Sequence, residues 1–135
     1  MLVVVVDTNI YVSALVFGGT PALTLQLAAA GAFQLAVSET IQDELEETLV
    51  RKFGWHVEHF DQVATELWRD ARHVKPSQPV KASRDPDDDH ILACALEAHA
   101  QVILTGDGDL LSLHPYREIS ILTPTQFLEA KPWQS

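Results

Sequence analysis

At 135 residues and 47% hydrophobic content, the chain is the size of one ordinary domain, with a core that needs neither disulfides nor structural metal. A formal charge of −10 argues against broad, nonspecific attraction to phosphate backbones. The single cysteine, Cys94, excludes an intrachain disulfide; it falls in a helical apolar pattern and reads as a small buried thiol suited to a reducing, cytoplasmic setting. No stretch approaches the length of a membrane span, and residues 1–6 lack the basic head of a signal peptide, so a soluble protein is expected.

Residues 2–6 form a continuous apolar run, β-branched from Val3 on, as expected of a strand buried on both faces of a parallel sheet. Asp7, Thr8 and Asn9 follow it, and residues 10–17 predict a helix closed by Gly18 and Gly19. Thr20 and Pro21 read as an N-cap and first helical position for a helix through Ala30, and residues 33–37 as a second strand. Ser38 or Thr40 can cap the next helix, whose Ile41, Leu45 and Leu49 repeat every four residues before Gly54 ends it. Residues 57–73 predict a further helix with Phe60, Val63, Ala64, Leu67 and Trp68 inward. Pro76 and Pro79 break the pattern, and a polar loop leads to Arg84. A helix restarts at Asp85-Pro86 and continues to about Ala100, followed by a strand over 101–105, a helical turn over 109–113 and a last strand over 119–122. Thr123 and Pro124 cap a final helix that is expected to fray at Lys131-Pro132.

Strands alternate with helices and no hairpin signal joins neighbouring strands, which predicts a three-layer α/β/α domain around a mainly parallel sheet. One domain over 1–135 is expected, with 131–135 as a frayed tail. In such sheets ligands bind beyond the carboxyl ends of the strands. Asp7 and Asp107 each follow a predicted strand, and the acids after Ser38 and Asp85 open helices that start from the same edge.

Taken singly, each acid has a plain role in turning the chain or complementing a helix dipole. Asp107-Gly108-Asp109 does not read as a calcium loop, because Leu111 and Ser112 occupy positions that need a ligand and a glycine. At about 100° per residue, Glu44 and Glu46 border the apolar stripe from opposite sides, and geometry leaves them level. Together the acids repel unless a proton or cation neutralises them, and an all-oxygen set suits Mg²⁺ or Mn²⁺ rather than zinc. His56 and His59 lack a third ligand and read as a surface pair. Seven of the nine Lys and Arg lie between Arg51 and Arg84, as a solvated helical face or as a basic flank to an acidic pocket.

The ordered set of strand-Asp7-Thr8-Asn9, a helix carrying Glu44-Leu45, Asp85-Pro86-Asp87-Asp88-Asp89 with Ala93, and Leu104-Thr105-Gly106-Asp107 with Asp109 resembles the PIN-domain ribonucleases. The branch it is most similar to is the VapC-like toxins of toxin–antitoxin pairs. The resemblance implies an acidic tetrad of Asp7, Glu44, Asp89 and Asp107 that binds Mg²⁺ or Mn²⁺, choosing Glu44 over Glu46. It gives Asp109 as an outer or alternative ligand, and Asp88 can trade roles with Asp89. It also implies that Thr8, Asn9, Ser13 and Thr105 orient the carboxylates, with Arg84 foremost among the basic residues positioning RNA. A metal-dependent endoribonuclease with a small antitoxin partner and a homodimeric state is thereby expected; the apolar Leu15-Val16-Phe17 segment or Trp55 and Trp68 are candidates for a dimer contact, and core packing explains them equally well. The contrasting reading is a non-catalytic module whose acidic pocket docks a basic partner segment. A phosphatase using Asp7 as nucleophile is disfavoured, since Asn9 stands where a second acid is usual.

Overall fold

Residues 1–134 are described by the computed structural model. Val3–Val6 (β1) is fully enclosed, and it is the middle of a five-stranded sheet ordered β3-β2-β1-β4-β5. The other strands are Gln34–Ser38 (β2), Arg72–Val74 (β3), Val102–Leu104 (β4) and Ser120–Leu122 (β5), and every pairing is parallel. Four adjacent valines suit this position, because a central parallel strand buries side chains on both of its faces. Chain order runs outward to one side through β2 and β3 and to the other through β4 and β5. The switch between β1 and β4 opens the crevice in which open parallel sheets place ligands.

Helices cover both faces, giving the three-layer α/β/α architecture. Asp89–Ala98 (α5) packs across β1, β2 and β4, burying Ile91, Leu92 and Ala95. Thr8–Val16 (α1) packs against Gly19–Ala29 (α2) and Glu39–Phe53 (α3). The link from α1 to α2 is tighter than the sequence suggests: Gly18, at φ 78°, takes the N-cap position, so α2 begins before Thr20. Ser38 caps α3, its Oγ accepting the Ile41 N–H at 3.3 Å. Gly54, left-handed at φ 71°, ends the helix.

The largest departure from the sequence reading follows α3. The helix expected over 57–73 ends early, as Val57–Leu67 (α4), and Arg72–Val74 turns into the edge strand β3 beside β2. Three residues with exposed Arg72 and His73 carry too little alternation to announce a strand; the open edge of β2 recruits them. The helix expected from Asp85 to Ala100 is likewise divided, into one 3₁₀ turn over Pro86–Asp88 and then α5. Asp85 does cap this start, accepting the Asp87 N–H at 3.0 Å. Gly108–Leu111 (α6) and Pro124–Ala130 (α7) complete the chain, α7 with a reciprocal Thr123–Gln126 capping box. In the segment expected as a frayed tail, Lys131 caps α7 and Pro132–Gln134 form a 3₁₀ turn that sets Trp133 against Phe127 at 4.9 Å and Phe33 at 6.2 Å; Ser135 lies outside the described residues.

Trp68 is buried in the core, where its Nε1–H donates to the Tyr11 hydroxyl at 3.0 Å, so it is no dimer contact. Removing that acceptor strands a buried donor, and Tyr11→Phe is expected to destabilise the fold by about 1–3 kcal/mol. The check is a lower denaturation midpoint with an unchanged slope; an unchanged midpoint would show that the indole finds another acceptor. Among the described residues, no single helix is long and apolar enough to cross a membrane.

Candidate metal centre

β1 and β4 end at the same edge of the sheet, with Val6 level with Leu104, and the Asp7 N–H continues the ladder to the Leu104 carbonyl at 2.9 Å. Asp7 and Thr105 therefore emerge side by side. Thr105 is fully buried, and its hydroxyl ties two acids together: it donates to Asp7 Oδ2 at 2.8 Å and accepts the Asp107 N–H at 3.0 Å. Asp107 caps α6, its Oδ1 accepting the Asp109 N–H at 3.2 Å. Asp7 is only 6% exposed. Burial raises its pKa, against the Thr105 hydroxyl and the Thr8 N–H; the charge on Asp107 raises it further and His90 opposes.

The third contributor comes from the start of α5. Carboxylate oxygens of Asp88, Asp107 and Asp109 lie within 4.8 Å of one another. Asp88 Oδ2 is sealed from water and receives no hydrogen bond among the described residues. Burial pushes the Asp88 pKa up to about 8, and contact with the Asp107 carboxylate, followed by the charges of Asp107, Asp7 and Asp85, adds to that. Two carboxylates facing each other need a proton or a cation between them. The donor set is all oxygen and its span suits one hard cation with ligands at about 2.0–2.6 Å, so these residues fit Mg²⁺ or Mn²⁺.

Asp89 is turned elsewhere. Its Oδ1 accepts the N–H groups of Ala82 (3.1 Å) and Ser83 (2.8 Å), pinning the loop that precedes the 3₁₀ turn. Asp88 stands beside Asp107, where Asp89 was expected: Asp88 ends the 3₁₀ turn and Asp89 is the first residue of α5, so their carboxylates leave the backbone in different directions.

Glu44, from α3, borders the same cleft. Its Oε1 accepts the Thr8 hydroxyl at 2.8 Å and lies 2.8 Å from His90 Nε2. Thr8 and Thr105 thus each hold a carboxylate, whereas Ser13 is half-buried further along α1 and its hydroxyl makes no hydrogen bond among the described residues. Asn9 is exposed and lines the cleft without holding an acid. The cleft, of about 520 Å³, also takes in Asp85 and Asp87 and two cations, Arg51 and Lys52. Arg84 is exposed and is not among its lining residues. His90 was not singled out from the sequence, and Arg51 and Lys52 only as part of the basic run from Arg51 to Arg84. For His90 the signal lay in its place two residues after Asp88; for the cations, in their position two turns beyond Glu44 on one helix. Cys94 lies in the core with its thiol pushed up to about 12 by burial, so it offers no nucleophile.

A family model described as the PIN domain matches residues 3–109, a span that contains every one of these acids. The chain belongs to the PIN-domain family. The fold of this PIN domain is similar to a chain in the crystal structure of VapBC2 from Rickettsia felis bound to a DNA fragment from their promoter. The TM-score is 0.61 at 14% identity, over 89% of this chain and 97% of that one, which is a likeness of fold. No curated protein matches the sequence.

Proposed function

We propose that this PIN domain is a metal-dependent endoribonuclease of the VapC-like kind, hydrolysing RNA phosphodiester bonds as the toxin of a toxin–antitoxin pair. The observation that carries the reading is the meeting of Asp88, Asp107 and Asp109, with Asp7 beside them, at the β1/β4 switch point of a chain in a family whose members are typically metal-dependent nucleases. The likeness to VapBC2, a toxin–antitoxin complex, supports an antitoxin partner.

Asp88, Asp107 and Asp109 would hold one Mg²⁺ or Mn²⁺, with Asp7 beside them. When bound, such an ion lowers the pKa of a coordinated water and steadies the leaving oxygen of the phosphodiester. The rest is supplied by side chains. Thr105 fixes Asp7 and the Asp107 backbone in one orientation, so neither has to reorganise when substrate arrives. Thr8 and His90 keep Glu44 at the opposite wall. Arg51 and Lys52 give the scissile strand a cationic flank that the chain's net charge otherwise denies it. Arg51 also pairs with Glu47 at 3.6 Å, but both are exposed and such a pair yields readily to a phosphate.

The test is cleavage of a mixed RNA pool by purified protein. Cutting is expected with Mg²⁺ or Mn²⁺, is lost in EDTA, returns on adding the metal back, and is abolished by Asp7→Asn. Cutting that persists in EDTA, or that Asp7→Asn leaves intact, would defeat the assignment.

A further inference from the structure

Four residues of α3 that line the acid cleft, Glu44, Glu47, Thr48 and Arg51, follow the spacing i, i+3, i+4, i+7. That spacing sets them in one row along the helix face turned to the cleft. The row begins beside the acids, where Glu44 meets Thr8 and His90, and it ends in a cation. Seven residues at about 1.5 Å each put Arg51 about 10 Å beyond Glu44 along α3. Its guanidinium lies 3.6 Å from the Glu47 carboxylate, too far for a good hydrogen bond, and donates to no other group among the described residues. Both side chains are largely exposed, at 78% and 66%. A planar fork of donors, the shape that matches a phosphate, thus stands on the cleft wall against one loosely held carboxylate.

We propose that Arg51 seats a phosphate of the RNA about three nucleotides from the cut, and that Glu47 occupies this seat until the strand displaces it. This rests on the nuclease reading above. A stacked strand advances about 3.4 Å per nucleotide, so a reach of about 10 Å corresponds to about three. Arg51 therefore grips the strand away from the scissile bond. The cleft is otherwise lined by acids and the whole chain carries −10, so retaining a phosphate requires a local cation. Arg51 also lies in the last turn of α3, where a cation complements the helix dipole, and four residues after Glu47, where it makes an ordinary surface pair. In those roles Glu47 supports the fold; in the seat it competes with substrate. The cleft, at about 520 Å³, has the size of a small-ligand pocket and takes one strand rather than a duplex. The substrate class is a single strand that continues at least about three phosphates past the cut, on the side over α3.

The experiment uses the full chain and its Arg51→Gln and Glu47→Gln variants on a 12-nucleotide single-stranded RNA whose cut is first mapped with Mn²⁺. Neutral methylphosphonate linkages are then placed one at a time along the strand, and binding of the unmodified 12-mer in EDTA is followed against salt. In wild type, the neutral linkage about three nucleotides from the cut is expected to raise KM about tenfold, with the change in KM rather than in kcat. Arg51→Gln should raise KM equally, add nothing at that linkage, and lower the salt slope of binding by about one. Glu47→Gln should lower KM, which a merely structural pair does not predict. Equal losses at every linkage, an unchanged KM in either variant, or a raised one in Glu47→Gln would overturn the seat while leaving the nuclease intact. If wild type binds the 12-mer without cutting it, and Arg51→Gln still lowers the salt slope, the seat stands and the nuclease reading falls. A chain that does not cut, and that either fails to bind or binds with the slope unchanged in Arg51→Gln, ends both.

Discussion

On the proposed nuclease reading, Asp88→Asn is expected to lower the rate of RNA cleavage by at least about a hundredfold, since even partners one step removed from a metal are worth about 10–100-fold. Asp89→Ala keeps the rate within about tenfold and instead lowers stability by about 1–3 kcal/mol, because the N–H groups of Ala82 and Ser83 lose the carboxylate that receives them. The two acids are adjacent in sequence and alike in chemistry, so the contrast isolates direction alone. Asp88 points toward Asp107 and Asp109; Asp89 fastens a loop. Measuring cleavage rates together with denaturation midpoints for both variants separates the roles. A rate lost in Asp89→Ala with its stability unchanged would return the metal to Asp89 and remove Asp88 from the proposed site.

Stability should answer to pH and metal through the same residue. The Asp88 carboxyl, ordinarily near 3.8, is raised to about 8 in the folded chain, so the folded state holds its proton more tightly than the unfolded state. A raised pKa contributes stability that is full below the unfolded value, shrinks as pH climbs, and is gone once pH passes the folded value. The window is therefore about pH 4–8, and Asp7, shifted in the same direction, adds to it. In EDTA the melting temperature is expected to fall between pH 5 and pH 8 by more in wild type than in Asp88→Asn, which carries no proton to lose. Mg²⁺ or Mn²⁺ should flatten the wild-type profile, because a bound cation replaces the proton and stabilises the folded state by mass action. Parallel profiles for the two proteins in EDTA would show that Asp88 titrates as it does in the unfolded chain.

The sequence reading succeeds where burial is heavy and periodicity long. Residues 2–6 announce a central strand because Leu2 and the four valines after it have nowhere else to go, and β1 is enclosed on both faces. Asp7 and Asp107 could be placed at one edge from alternation alone, since parallel strands joined by helices share a direction. β3 was hidden because an edge strand of three residues owes its conformation to β2, whose hydrogen bonds it completes, and not to its own side chains. The turn from Asp85 to Asp89 looked like one helix start, and the 3₁₀ step inside it is what decides which aspartate enters the cleft.

By itself, then, the amino-acid order determined a parallel α/β sheet, the edge at which its acids collect, and their kinship with the PIN-domain nucleases. Only the tertiary structure decided between neighbours: Asp88 over Asp89 beside Asp107, and Arg51 and Lys52 in place of Arg84 along the cleft. It also brought Glu44 to Thr8 and His90. The reason is physical. Apolar burial is spread over many residues and leaves a repeating trace in the chain, whereas the aim of a single carboxylate depends on the local turn of the backbone and on partners distant in sequence.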